Sequence, residues 1–144
     1  MTKMTENFKI LAQFIKDISS ETPDVQSYVF VKENILKYQL NIDINSKVLK
    51  NKMIEINTTL KFEDKEPNEK KSYYEIVYST IVSISDEIKD NKEEMQKIIL
   101  RDIPTAIYPK LEKAFLNLIH DSGHPNITFD KKIDFNKLYS EKFN

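Results

Sequence analysis

The chain has 144 residues, 40% apolar and 31% charged, which suits one soluble globular domain spanning residues 1–144. Its formal net charge of −1 provides no global field for nucleic acid or an anionic membrane. The absence of cysteine excludes disulfides, thiolate metal sites and cysteine nucleophiles, and a single glycine, Gly123, excludes the glycine-rich loops that cradle phosphates.

The opening "MTKMTENFKI" carries no apolar stretch suited to a secretion signal, and no run of about 20 apolar residues occurs anywhere, so a cytoplasmic location is expected. A first strand is predicted over about Phe8–Ser19, running into "FIKDISSETPD". Strand periodicity there puts Asp17, Ser19 and Glu21 on one face, as either solvated surface or a docking point for something basic. Ser20–Ile35 is irregular and reads as a long crossover.

Two clean alternations follow. In "KYQLNIDI", Tyr38, Leu40, Ile42 and Ile44 oppose Gln39, Asn41 and Asp43; in "MIEINTTLKF", Ile54, Ile56, Thr58, Leu60 and Phe62 oppose Glu55, Asn57, Thr59 and Lys61. Both predict half-buried strands. Glu63–Lys71 is polar and holds Pro67, which makes it a loop. "SYYEIVYSTIVSI" is a fourth strand, with Tyr74, Ile76, Tyr78 and Val82 on one face and Tyr73, Glu75 and Val77 on the other. Short links make the strands antiparallel.

From about Lys92 the period changes to helical, through Met95, Ile98, Ile99 and Ile103, then Ile107, Leu111, Phe115, Leu118 and Ile119. Pro104 and Pro109 predict a short helix, a bend, then a longer helix over about 105–121. Gly123 suits a left-handed helix stop, "HPNITFDKK" a loop, and Asp134 the N-cap of a last helix that packs Phe135, Leu138 and Tyr139 along one side. Strands followed by helices define an α+β fold, one antiparallel sheet with helices on one face.

Little in this pattern demands catalysis. His120 and His124 are spaced for a helical metal pair, but Gly123 and Pro125 interrupt the helix such a pair requires. No nucleophile elbow surrounds Ser122, and the acids are mostly interleaved with lysines. Tyr73 is the one aromatic of the outer strand face, and Glu75 beside it would repel a phosphate chain. A small α+β enzyme or ligand-binding domain would need a deep pocket with convergent polar groups.

Three fragments, in order, carry a resemblance. Lys16-Asp17-Ile18-Ser19 with Glu21 and Pro23, then Tyr108-Pro109 opening an amphipathic helix, then Ile133-Asp134-Phe135 with Leu138-Tyr139, resemble the SecB family of bacterial export chaperones. The match covers about Phe8–Phe143. It departs from the family at Ser79-Thr80-Ile81-Val82, where relatives usually carry a glycine pair, and near Asn34–Leu36, where a tryptophan is common. The family often has a longer polar tail, whereas this sequence runs to Asn144.

The resemblance implies a chaperone without catalytic activity or cofactor, which binds unfolded precursor proteins and passes them to the export motor SecA. It implies a four-stranded antiparallel sheet with two helices, assembled as a dimer of dimers. First strands would pair within each dimer, and the long helices, through Ile107, Leu111, Phe115 and Leu118, would join the dimers into a homotetramer. Asp17, Glu21, Tyr73 and Glu75 match the family's acidic patch for SecA's basic C-terminal zinc-binding segment.

A client groove is expected from Phe30, Leu36, Tyr38, Leu40, Ile42, Leu138 and Tyr139, with strand-edge contacts. Ordinary core is the competing reading for Leu40 and Ile42, and for part of the long-helix stripe. A related chaperone serving another client, or controlling a toxin, without SecA docking is the alternative function.

Overall fold

The computed structural model describes residues 7–66, 72–129 and 133–143. The start of the chain read for a leader, the Pro67 end of the polar loop and positions 130–132 of "HPNITFDKK" lie outside the described residues. Four antiparallel strands, β1 (Phe8–Glu21), β2 (Tyr38–Val48), β3 (Met53–Asp64) and β4 (Tyr73–Ile84), form one sheet in the order β1-β4-β3-β2. The alternation read from the sequence decides the two faces. Ile54, Ile56, Leu60, Phe62, Tyr74, Ile76 and Val82 are buried towards the helices, while Glu55, Thr59, Lys61, Tyr73, Glu75 and Val77 stand on the outer face.

β1 and β2 are the sheet edges, so the chain must cross from one edge to the other between them. The crossover is more ordered than the sequence suggested. It contains α1 (Val25–Glu33), followed by a short 3-10 turn at Ile35–Lys37. Asp24 caps α1 by accepting from the backbone N–H and the hydroxyl of Ser27, each at 2.7 Å. Ser27 and Val31 are its buried residues, and the apolar side chains are spread around the helix. That spread is why no helical stripe was legible.

β2 turns into β3 through Asn51 and Lys52, both at φ 62°, with the Met53 N–H on the Lys50 carbonyl at 3.4 Å. Positive φ at both central residues is the type I′ geometry that matches the twist of a hairpin.

The two predicted helices are joined through a π-helical turn rather than by an interruption. α2 (Lys92–Lys97), a π-helical turn (Ile98–Asp102) and α3 (Ile103–Asp121) follow without a break. The Ile103 N–H reaches the Ile98 carbonyl, five residues back, so the ladder changes register just before Pro104. Pro109 lies inside α3 without ending it. An interior proline costs about 3 kcal/mol, whereas burial of each of the flanking Ile107, Tyr108 and Leu111 contributes about 1.5–3 kcal/mol. Packing wins.

α3 ends as expected. Gly123 has φ 105°, the His124 N–H bonds the Ile119 carbonyl at 3.3 Å and the Gly123 N–H bonds the His120 carbonyl at 3.1 Å. This is the Schellman pattern. Asp134 caps α4 (Phe135–Phe143), accepting from the Lys137 N–H at 3.1 Å.

α3 lies along the inner sheet face, with Ile103, Leu111, Phe115 and Ile119 each at 0% exposure and Ile107 at 1%. The assignment of Ile107, Leu111 and Phe115 to an interface between dimers is therefore corrected. A side chain with no surface left in one chain has none to offer another, and only Leu118 of that set stays partly accessible. Leu111→Ala is expected to cost about 2–5 kcal/mol in urea unfolding while leaving subunit association unchanged in native mass spectrometry. A stable chain that merely dissociates would return Leu111 to an interface.

Candidate functional site

The outer sheet face gathers the four residues read as an acidic patch. Two bulges in β1, at Leu11 and Lys16, shift its register, after which Asp17 pairs with Val77, Ser19 with Glu75 and Glu21 with Tyr73. Asp17 and Glu21 are exposed, Tyr73 and Glu75 half-buried, and all share one corner of the sheet. One neighbour was not anticipated. Lys61 pairs with Glu75 across β3 and β4, holds its Nζ 5.8 Å from the Tyr73 ring centroid and lies 3.6 Å from Glu63.

Further along the same face, Lys16 forms an ion pair with Glu55. Hydrogen bonds from Lys16 and then Asn57 hold the Glu55 carboxyl below the usual range. The face is acidic at the β1–β4 corner and mixed elsewhere.

On the opposite side, a groove of about 1070 Å³ runs between α1 and the segment after α3. Tyr38, Leu40 and Phe62 line it from the sheet, Tyr28, Lys32, Ile35 and Leu36 from the crossover, and Gly123–Phe129 from the far wall. Leu36 is 93% exposed. The Tyr38 hydroxyl donates to the Ser72 carbonyl at 2.8 Å, and burial pushes its phenol up to about 12.

Of the predicted groove residues, the structure brings Leu36, Tyr38 and Leu40 together. Phe30 lies instead in a smaller hollow with Val25 and Val29. Ile42 shares the inner face of β2 but lies beyond the groove lining. Leu138 and Tyr139 sit on α4, where Phe135 packs edge-on against Tyr108 at 5.5 Å and Tyr139 lies beside Arg101, outside that lining. Sequence reasoning missed Tyr28, Phe62, His124 and Phe129, because no local period links three segments so far apart.

Main-chain groups add to the groove. The Lys65 N–H bonds the Lys37 carbonyl and the Leu49 N–H the Met53 carbonyl, both in the register of β2 with β3. Antiparallel ladders alternate bonded and non-bonded pairs, so odd-numbered β2 residues bond β3. Leu40, Ile42 and Ile44 consequently turn their N–H and C=O groups to the free edge. The other edge, β1, exposes Leu11, Phe14, Ile15 and Ile18 at 45–47%.

The two histidines serve the groove wall. His120 Nε2 contacts the Ile127 carbonyl at 2.8 Å, tethering the segment after α3. His124 is 6% exposed and stacks on Tyr28 at 5.0 Å, and the Tyr28 hydroxyl donates to the Gly123 carbonyl at 3.0 Å. Tyr28 thus latches one wall to the other. Among the described residues no group of three or more His, Cys, Asp or Glu is placed to hold a metal.

A long aromatic groove beside a free strand edge, with an open sheet face behind it, is suited to holding polypeptide chains rather than a small molecule. The comparisons give this class a family. The model of the SecB family, described as preprotein translocase subunit SecB, matches residues 1–144, and the chain belongs to that family of protein-export chaperones, which are not enzymes.

A provisionally named protein-export protein SecB of Pelagibacter ubique is 56% identical over 98% of this chain and 100% of its own length. The protein-export protein SecB of Mesorhizobium japonicum is 24% identical over 94% of this chain and 79% of its own length. The fold is shared with a SecB-like chaperone of Mycobacterium tuberculosis solved in complex with a ChAD peptide from an antitoxin. The TM-score is 0.63 at 10% identity, covering 88% of this chain and 91% of that one.

The latch is directly testable. A Cβ at Gly123 would stand 2.7 Å from Cε1 of Tyr28, on a backbone whose φ already disfavours it. Gly123→Ala should cost about 1–3 kcal/mol in chemical unfolding. Tyr28→Phe should cost about 0.5–1.5 kcal/mol, the worth of one hydrogen bond. An unchanged midpoint in both variants would mean that the two walls are not held together here.

Proposed function

We propose that this chain is a cytoplasmic chaperone that binds unfolded precursor proteins, keeps them competent for export and hands them to SecA. The observation that carries the reading is the groove lined by Leu36, Tyr38 and Leu40, running beside the outward main-chain groups of Leu40, Ile42 and Ile44. A folded protein has already spent its apolar side chains and backbone groups, whereas an unfolded one can offer both. Phe30 and Ile42 extend this surface on either side, and Leu138 and Tyr139 of α4 would join only for a client long enough to pass the groove.

Assembly supplies the avidity that a promiscuous site needs, about 10²–10⁴ over a single contact. β1, with its exposed Leu11, Phe14, Ile15 and Ile18, supports pairing of two copies edge to edge. Leu118, one turn on from the half-buried Ala114, is the accessible part of that stripe left for contact between dimers in a homotetramer. Asp17, Glu21, Tyr73 and Glu75 would receive the basic C-terminal segment of SecA. Each exposed charge pair is worth only about 0–1 kcal/mol, so the patch would set partner choice and encounter rate more than affinity. Lys61, lying between Glu75 and Tyr73, favours a second reading, a chaperone of this family without SecA docking.

Native mass spectrometry with an unrelated protein, presented folded and then unfolded, tests the first claim. A tetramer that takes up only the unfolded form is expected, and indifference to both forms would reject client binding. Glu75→Lys and Asp17→Lys should each weaken calorimetric binding of the SecA C-terminal segment by about tenfold, with client uptake and oligomer size intact. Equal affinity in wild type and both variants would leave the second reading standing.

A further inference from the structure

The wall of the groove contains a group that the client-binding reading does not use. His124 is 6% exposed, and its Nε2 finds no hydrogen-bond partner among the described residues. Its ring is clamped between Tyr28 of α1, stacked at 5.0 Å, and Tyr74 of β4, edge-on at 6.1 Å. Among the described residues, the titratable groups whose contact or charge reaches it are Tyr28 and Lys32 of α1 and Tyr74 of β4, none of them a carboxylate. A proton added at Nε2 would create a largely buried cation near Lys32, and Nε2 has no acceptor among the described residues.

The consequence falls on the groove because the same residues join its walls. Tyr28 reaches Gly123 through its hydroxyl and His124 through its ring, and Gly123 has room for that ring only because it lacks a Cβ. We infer that the Tyr28–Gly123–His124 contact is a proton-sensitive latch on the client groove, closed while His124 is neutral and released when it is protonated. The inference rests on the reading of this groove as the client site.

The sign follows from the surroundings. Burial first, and the nearby Lys32 second, depress the folded-state pKa of His124 below its ordinary 6.5. The stability of the closed latch is therefore fully present above that ordinary value and is lost as pH falls through the folded value. His120, whose Nε2 already meets the Ile127 carbonyl at 2.8 Å, serves as the control histidine. Linkage is reciprocal, so a client that needs the closed groove must make His124 harder to protonate.

The test uses the whole chain and a fluorescent peptide of leucine, phenylalanine and serine with blocked termini, which carries no titratable group of its own. Its affinity should fall between about pH 8 and about pH 5, towards a limit of about tenfold for one pKa unit of coupling. His124→Phe keeps an aromatic ring against Tyr28 and cannot take a proton. It should lose the pH dependence whatever its affinity at the upper pH, while His120→Gln should retain it.

If His124→Phe fails to fold, the His124 ring resonances of the wild type decide. Their titration midpoint should lie below the ordinary value and move lower when peptide is added. A midpoint indifferent to peptide, or an affinity that stays flat with pH in wild type, overturns the latch while client binding stands. No peptide binding at any pH overturns the client reading itself, and the latch with it.

Discussion

The burial of α3 against the inner faces of β3 and β4 is the interaction on which the other surfaces depend. Ile103, Ile107, Leu111, Phe115 and Ile119 spend nearly all of their surface on Ile56, Leu60, Tyr74, Ile76 and their neighbours in one core. That packing carries the helix through Pro109 and holds a π turn in place ahead of Pro104. Among the described residues, it also leaves the opposite sheet face with no helical layer of its own. A sheet covered on one side only has a flat outer surface to present, and here that surface places Asp17, Glu21, Tyr73 and Glu75 within one corner.

The same packing fixes where the groove lies. α3 ends at Gly123, and its Schellman stop turns the chain back towards α1 rather than away from the sheet. α1 is anchored from below by Ser27 and Val31, and Tyr28 meets the returning chain at Gly123 and His124. Between the two walls, half-buried Leu40 is the accessible part of the floor, while Tyr38 and Phe62 show 6% of their surface each. The groove is therefore a region the core does not fill, bounded by two segments that the core orients. Binding chemistry and structural economy meet at β2, whose odd-numbered residues complete the sheet while its even-numbered ones face the edge.

Much of this was legible in the sequence, and the failures have identifiable causes. The strands of "KYQLNIDI" and "MIEINTTLKF" declared both their existence and their faces, because alternation is a local property. The shared face of Asp17, Ser19 and Glu21 was legible for the same reason, since the bulges fall before them. α1 was missed because its apolar residues are not segregated to one side, although Asp24 and Ser27 form a capping pair visible on inspection. The helix stripe was read correctly as apolar but assigned to the wrong partner. A sequence shows that Ile107, Leu111 and Phe115 must be covered, not by what.

Composition and period alone determined the class: a single antiparallel sheet with helices on one side, free of cysteine chemistry and phosphate loops. Ordered fragments such as "KDISSETP" and "IDFNKLY" resembled the family that comparison then established. Only the tertiary structure decided which apolar residues form core and which line the groove. Leu40 and Phe62 come from different strands, Tyr28 from the crossover and His124 from beyond α3, and no spacing in the chain encodes their meeting. Local sequence sets the conformation of each segment, whereas a groove is made by surfaces left unfilled when distant segments pack.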